Sequence, residues 1–127
     1  MISLTASVRE CLESGPHWNE SGAVEAVYVF PADFIGFSGH FPQKAVLPGI
    51  AQIMAVSCLL GDSGCPPLRS VKRCKFLRVV SPLERLAISA QVTRADERME
   101  VQAGLSVQGE TCASMTLIFD AAETLAF

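Results

Sequence analysis

The sequence predicts an α+β fold in which an antiparallel sheet wraps one central helix. Residues 49 to 60 are apolar on nearly every face apart from Gln52 and Ser57, the pattern of a helix buried all round. From residue 69 onward the chain reads as strand after strand, with apolar positions recurring at every second residue. The turns Ala95-Asp96-Glu97-Arg98 and Gln108-Gly109-Glu110 are short and polar, as antiparallel neighbours require.

Taken in order, Ile2, Leu4, Ala6 and Val8 alternate with small or polar residues, which fits a short strand; a helical turn near Arg9 to Leu12 fits equally. Residues 15 to 22, GPHWNESG, form a cluster of turn residues, and AVEAVYVF after them is β-branched and aromatic strand material. The loop PADFIGFSGHFPQKAVLPG carries three prolines and three glycines, so a defined path is expected there rather than regular structure. Pro48 suits the first turn of the helix, Gly61 can cap its end, and Gly64-Cys65-Pro66-Pro67 prevents continuation. Strands follow at 69 to 80, around Leu86 to Thr93, around Val101 to Val107, and around Ala113 to Phe119.

A chain of 127 residues fits one domain, 1 to 127, with a core large enough to need no metal or disulfide. Half of the residues are apolar and 18% are charged, so a second copy is expected to cover part of the surface. The formal charge of −3 excludes a dedicated nucleic-acid binder. Five cysteines without a C-x-x-C pair, beside only two histidines, give no metal set and read as buried thiols of a reduced cytoplasm. No segment approaches the ~18 apolar residues of a membrane span, and the expected location is cytoplasmic.

The stretch FSGHFPQKAVLPGIAQIMAV, residues 37 to 56, concentrates the chemistry. Imidazole ordinarily titrates near neutrality, so histidine, the residue type at position 40, is one that can take a proton. The Gly49 N–H begins a helix, where it has no intrahelical acceptor and the positive end of the helix dipole lies behind it. His17, in a turn beside Trp18, reads as structural. Arg69, Lys72, Arg73, Lys75 and Arg78 fall within ten residues, a patch suited to an acidic partner or to a solvated, aggregation-resistant strand edge.

The string G-H-F-P-x-x-A-V-L-P-G-I, with KFLRVVSPLERLAISAQV beyond it, resembles the hotdog-fold 3-hydroxyacyl-[acyl carrier protein] dehydratases of the FabA and FabZ type. The wording V-L-P-G-I-A-Q-I is closer to the aryl-polyene dehydratase-like branch. The resemblance covers roughly residues 22 to 120 and implies a hotdog fold, no cofactor, and an acyl carrier protein or coenzyme A thioester as substrate. It assigns the base to His40 and the carbonyl-polarising donor to Gly49. The candidate substrate-binding residues are Phe41, Pro48, Ile53 and Met54, of which Phe41 and Ile53 read equally as core and Pro48 also fixes the loop path. It also implies a homodimer or higher oligomer, or a heterodimer with a homologue.

One position departs from the pattern. The resemblance places an Asp or Glu fourteen residues after the histidine, and here that residue is Met54. Removing a general acid typically costs ~10²- to 10⁴-fold in rate. Three readings follow: a dehydratase or isomerase acting on an acyl thioester with His40 alone or with an acid such as Asp33 or Asp62; a thioesterase in which His40 activates water; and a non-catalytic acyl-binding subunit paired with an active homologue.

Overall fold

The computed structural model describes residues 3–37, 46–61 and 66–120. Among the described residues there are six strands: β1 (Leu12–Trp18), β2 (Ala23–Val29), β3 (Leu68–Phe76), β4 (Arg85–Ala95), β5 (Arg98–Val107) and β6 (Glu110–Asp120). They form one sheet in the order β1-β2-β4-β5-β6-β3, and every pairing is antiparallel. Two helices, α1 (Leu4–Glu10) and α2 (Gly49–Ser57), accompany the sheet.

The expected alternation sets the sheet's inner face. Leu86, Ile88, Ala90 and Val92 of β4 are buried, as are Val101, Ala103, Leu105 and Val107 of β5 and Ala113, Met115, Leu117 and Phe119 of β6. Register holds these rows together: Ile88 pairs with Leu105, Ala103 with Met115, and Val101 with Leu117. Ala51, Ala55 and Val56 of α2 belong to the same core, and the Tyr28 hydroxyl of β2 donates to the Ala55 carbonyl at 2.8 Å. A 3-10 turn, Cys58–Leu60, prolongs the helix, and all three of its side chains are buried.

Four local expectations are corrected. Residues 4 to 10 are helix rather than strand, because Ser3 accepts the Ala6 N–H at 3.0 Å as an N-cap and Val8 turns inward at full burial. Gly15 and Pro16 lie inside β1 instead of in a turn. This is the sheet's edge, its pairing with β2 shifts on either side of Ser14, and Gly15 supplies a φ of 94° at the irregularity. The turn falls later, where Asn19 Oδ1 accepts the N–H groups of Ser21 and Ala23.

The strand expected to reach residue 80 stops at Phe76. The N–H groups of Leu77 and Arg78 both donate to the Cys112 carbonyl, so the ladder cannot advance and the chain leaves the sheet. Gly61 ends the helix in extended conformation, φ −161°, with its carbonyl accepting from Arg9 at 3.2 Å, and not through a left-handed cap.

The helix is not buried all round. Ile50 is 55% exposed, and Ile53 and Met54 are half-buried, because the sheet covers one side of α2 and the other side stays open in a single chain. Cys58 and Cys112 are buried, whereas Cys11 and Cys74 are only half-buried. Among the described residues no helix is long and apolar enough to cross a membrane.

Candidate active site

The start of α2 is held in place from both sides. The Leu47 N–H donates to the Val80 carbonyl at 2.8 Å, fastening the helix entrance to the segment that follows β3. Pro48 occupies the N-cap with φ −64° and ψ 151°, and its carbonyl accepts from Ala51 and Gln52. The Gly49 N–H, one step into the helix, meets no acceptor among the described residues. An unpaired donor at a helix start carries partial positive charge and suits an anionic or carbonyl oxygen.

A groove of about 490 Å³ opens beside that donor. Val46 to Gly49 and Gln52 form one wall, and Phe76 to Val79 the other. The lining is mainly apolar, and Phe76, Leu77 and Val79 are about half exposed along it. The absent side chain at Gly49 lets the Phe76 ring come close. A Cβ there would sit 2.6 Å from Cζ and 2.9 Å from Cε2 of the Phe76 ring, closer than carbon atoms approach.

Two side chains bring polarity to the groove. Gln52 is 3% exposed; its Nε2 donates to the Leu47 carbonyl at 3.3 Å, and its Oε1 has no partner among the described residues. Leaving a buried acceptor unmatched costs roughly 1–3 kcal/mol. Arg78 is turned to carboxylates: Nη2 reaches Glu84 Oε2 at 2.8 Å, Nη1 reaches Glu84 Oε1 at 3.2 Å, and Nε reaches Glu110 at 3.1 Å.

This fork draws the Glu84 carboxyl below its ordinary range, chiefly through Arg78, with the Ser81 N–H at 2.8 Å adding to it. A carboxylate with a depressed folded pKa stabilises the protein above its unfolded pKa, and that contribution is lost as pH falls through the folded value. Glu84→Gln should therefore melt lower than the parent at pH 7, and the two should converge as pH drops below about 4.5, the ordinary value for Glu84. Thermal melts of both proteins across that range check the sign.

The candidate residues separate by position. Pro48 and Gly49 line the groove. Met54 follows Gly49 by five positions, about 140° round the helix, and lies on the open face with Ile50. Ile53 packs partly against the core. Neither Ile53 nor Met54 lines the Gly49 groove within one chain. His40 and Phe41 lie outside the described residues, as does Asp62. Asp33 is exposed and borders a different groove, with Glu10 and Cys11, so it is not beside Gly49.

Nor do neighbouring groups replace the carboxylic acid. The Ser57 hydroxyl donates to the Ile53 carbonyl at 2.9 Å, and Cys58 is buried. Burial raises the Cys74 thiol, and burial with Glu10 and Asp33 nearby raises Cys11, so neither is activated as a thiolate. The basic patch of the sequence is largely matched by carboxylates: Arg69 with Asp120, Lys72 with Glu100, and Arg78 with Glu84 and Glu110. His17 shares a 3.3 Å hydrogen bond with the Ser14 hydroxyl on the exposed edge strand.

Residues 17–116 match the ApeI-like family, whose description is ApeI dehydratase. The chain belongs to this family. Among curated relatives, the 3-hydroxyacyl-[acyl-carrier-protein] dehydratase FabZ of Bacillus subtilis (strain 168) is 30% identical over 65% of this chain and 66% of its own length. The FabZ of Latilactobacillus sakei subsp. sakei (strain 23K) is 36% identical over the same shares. The ApeI-like chain thus spans 66% of the length of these relatives.

Solved structures agree on the fold. The dehydratase heterocomplex ApeI:P from Xenorhabdus doucetiae superposes with a TM-score of 0.64 at 18% identity, covering 85% of this chain and all of that one (100%). The PaaI protein of the E. coli phenylacetic acid degradation operon gives 0.66 at 13% identity, covering 93% and 89%. The fold is the hotdog fold, and at family level the activity is that of a hydro-lyase.

Three contributors to the groove were not singled out by sequence reasoning: Leu77, Val79 and the Phe76 ring against Gly49. The phenylalanine of KFL was visible as part of the family resemblance, but its contact with the helix start is a long-range property.

Proposed function

We propose that the protein is a 3-hydroxyacyl-thioester dehydratase-like member of its family, acting on an acyl carrier protein or coenzyme A thioester in fatty-acid or related lipid or polyene biosynthesis. The observation that carries this reading is the unpaired Gly49 N–H opening onto a mainly apolar groove. A thioester carbonyl accepts from Gly49, and the acyl chain runs past Pro48 toward the buried end of the groove. His40 removes a proton from C2, and the electron pair moves into the enolate held by Gly49. The C2–C3 double bond forms as the C3–O bond breaks, and the proton taken by His40 passes to the departing oxygen, leaving enoyl thioester and water.

The acid position is Met54, so no carboxylic acid aids that departure, and the rate of a single subunit type is low. Met54, Ile50 and Ile53 present an apolar face, and Leu68 and Val71 are exposed on the edge strand β3. Both surfaces suit a second hotdog subunit, as a homodimer or with a homologue whose helix brings a carboxylate to the Gly49 groove. Phe41 borders the acyl chain in this reading. A cysteine set without a C-x-x-C pair fits a reduced cytoplasm.

A second reading, a non-catalytic acyl-binding subunit, is favoured by the same methionine. The assay follows enoyl product and free thiol together on 3-hydroxyacyl carrier-protein thioesters. Slow enoyl formation that His40→Ala abolishes is the expected result. Thiol release without enoyl product would replace dehydration with thioester hydrolysis, and acyl binding without either product would favour the binding subunit.

A further inference from the structure

The groove's inner end holds an amide whose oxygen is unmatched. Gln52 is 3% exposed amid the buried apolar residues Ala51, Ala55 and Val56 of the same helix. Its orientation is determined by the Leu47 carbonyl, which can only accept; Nε2 must therefore face Leu47, and Oε1 is left as the acceptor without a partner. A buried amide of this kind is retained when a donor arrives from the occupant of the cavity it borders.

We infer that Gln52 Oε1 accepts a hydrogen bond from the 3-hydroxyl group of the bound acyl chain, making Gln52 a specificity residue that selects hydroxylated acyl thioesters. The inference rests on the acyl-thioester reading of the groove. Gln52 stands three residues beyond Gly49, about 4.5 Å further along the helix and on nearly the same face. A carbonyl oxygen on the Gly49 N–H leaves the 3-hydroxyl two carbon–carbon bonds away, within reach of that next turn.

Polarity fixes which end of the ligand goes inward. The groove is exposed at Leu77 and Val79 and closed at Gln52 and Leu47. The apolar acyl end takes the closed side and the hydrated carrier arm leaves through the open side, so the donor that reaches Gln52 belongs to the acyl chain. As an amide Gln52 cannot release a proton to the departing hydroxyl. It orients the 3-hydroxyl and does not substitute for the acid absent at position 54.

The test measures binding, so the slow chemistry does not enter. The probes are 3-hydroxyoctanoyl-pantetheine and octanoyl-pantetheine in which an amide replaces the thioester, titrated by calorimetry against the wild type, Gln52→Met and Gln52→Glu. The wild type should bind the hydroxylated ligand about tenfold more tightly than its 3-deoxy counterpart, one hydrogen bond to a buried acceptor. Gln52→Met should lose that preference while still binding the deoxy ligand, which shows that the groove remains formed. Gln52→Glu keeps an oxygen acceptor and should retain some preference. Equal binding of the two ligands by the wild type, or an undiminished preference in Gln52→Met, would overturn the assignment. Failure of the wild type to bind either ligand would instead overturn the acyl-thioester reading on which it rests.

Discussion

Met54→Glu should raise dehydration of 3-hydroxyacyl thioesters by ~10²- to 10⁴-fold, the range that one positioned general acid typically supplies. Glutamate is compatible with this site because residue 54 is half-buried on the open face of α2, where the carboxyl keeps contact with water in a single chain. Met54 points away from the Gly49 groove of its own chain, so the gain requires a second subunit to bring the two sites together. The rate enhancement should therefore appear only at protein concentrations where a dimer forms. Enoyl formation measured across a dilution series, with oligomeric state followed in parallel, checks both parts. No gain in Met54→Glu, together with no loss in His40→Ala, would mean that the chemistry is elsewhere.

Gly49→Ala should lower acyl-thioester turnover by ~10²-fold, in the lower range of effects from losing an oxyanion donor. The backbone N–H survives the substitution, so the effect is steric. The new Cβ would lie 2.6 Å from Phe76 Cζ, so the half-exposed ring would have to shift, and that reshapes the groove both residues line. Phe76→Ala removes the obstructing ring, and the double variant should recover much of what Gly49→Ala loses. Residues in direct contact give non-additive effects of this kind, and the coupling measures how far Gly49 serves to accommodate Phe76. Additive losses in the double variant would indicate that Gly49 matters for a reason other than this contact. Far-ultraviolet circular dichroism of each variant separates loss of function from loss of fold.

Much of the architecture could be read from local pattern because the two periodicities involved are short. Alternation with period two placed Leu86, Ile88, Ala90 and Val92 on one face of β4, and these residues are buried as expected. The short turns at 95 to 98 and at 108 to 110 joined neighbours in the sheet, as hairpin geometry demands. At the N-terminal end local pattern left strand and helical turn open. Leu4, Ala6 and Val8 alternate like a strand, but the Ser3 cap and inward packing of Val8 select a helix. Turn-forming residues at 15 and 16 were absorbed by an edge strand, where a missing N–H and an irregular register are tolerated.

The candidate site divides in the same way. The motif GHFPQKAVLPGI located the helix start, and the Gly49 donor follows from helix geometry alone, since the first N–H groups of any helix lack internal acceptors. His40 stands in that motif by sequence only, outside the described residues. By contrast, the Phe76 ring over Gly49 and the ion pairs that neutralise most of the basic patch join residues far apart in the chain. No local spacing encodes such pairings.

The α+β plan, the place where a helix begins with an N–H that lacks an intrahelical acceptor, and the methionine at position 54 are all legible in the residues alone. These are properties of residue type and short-range periodicity. Packing in three dimensions settles that the side of α2 bearing Ile50 stays open, that Arg78 is held by Glu84 and Glu110, and that Gln52 carries a buried acceptor with no partner among the described residues. Each depends on how the sheet seats against α2 and on which side it leaves open, and that arrangement is set by packing between segments separated along the chain.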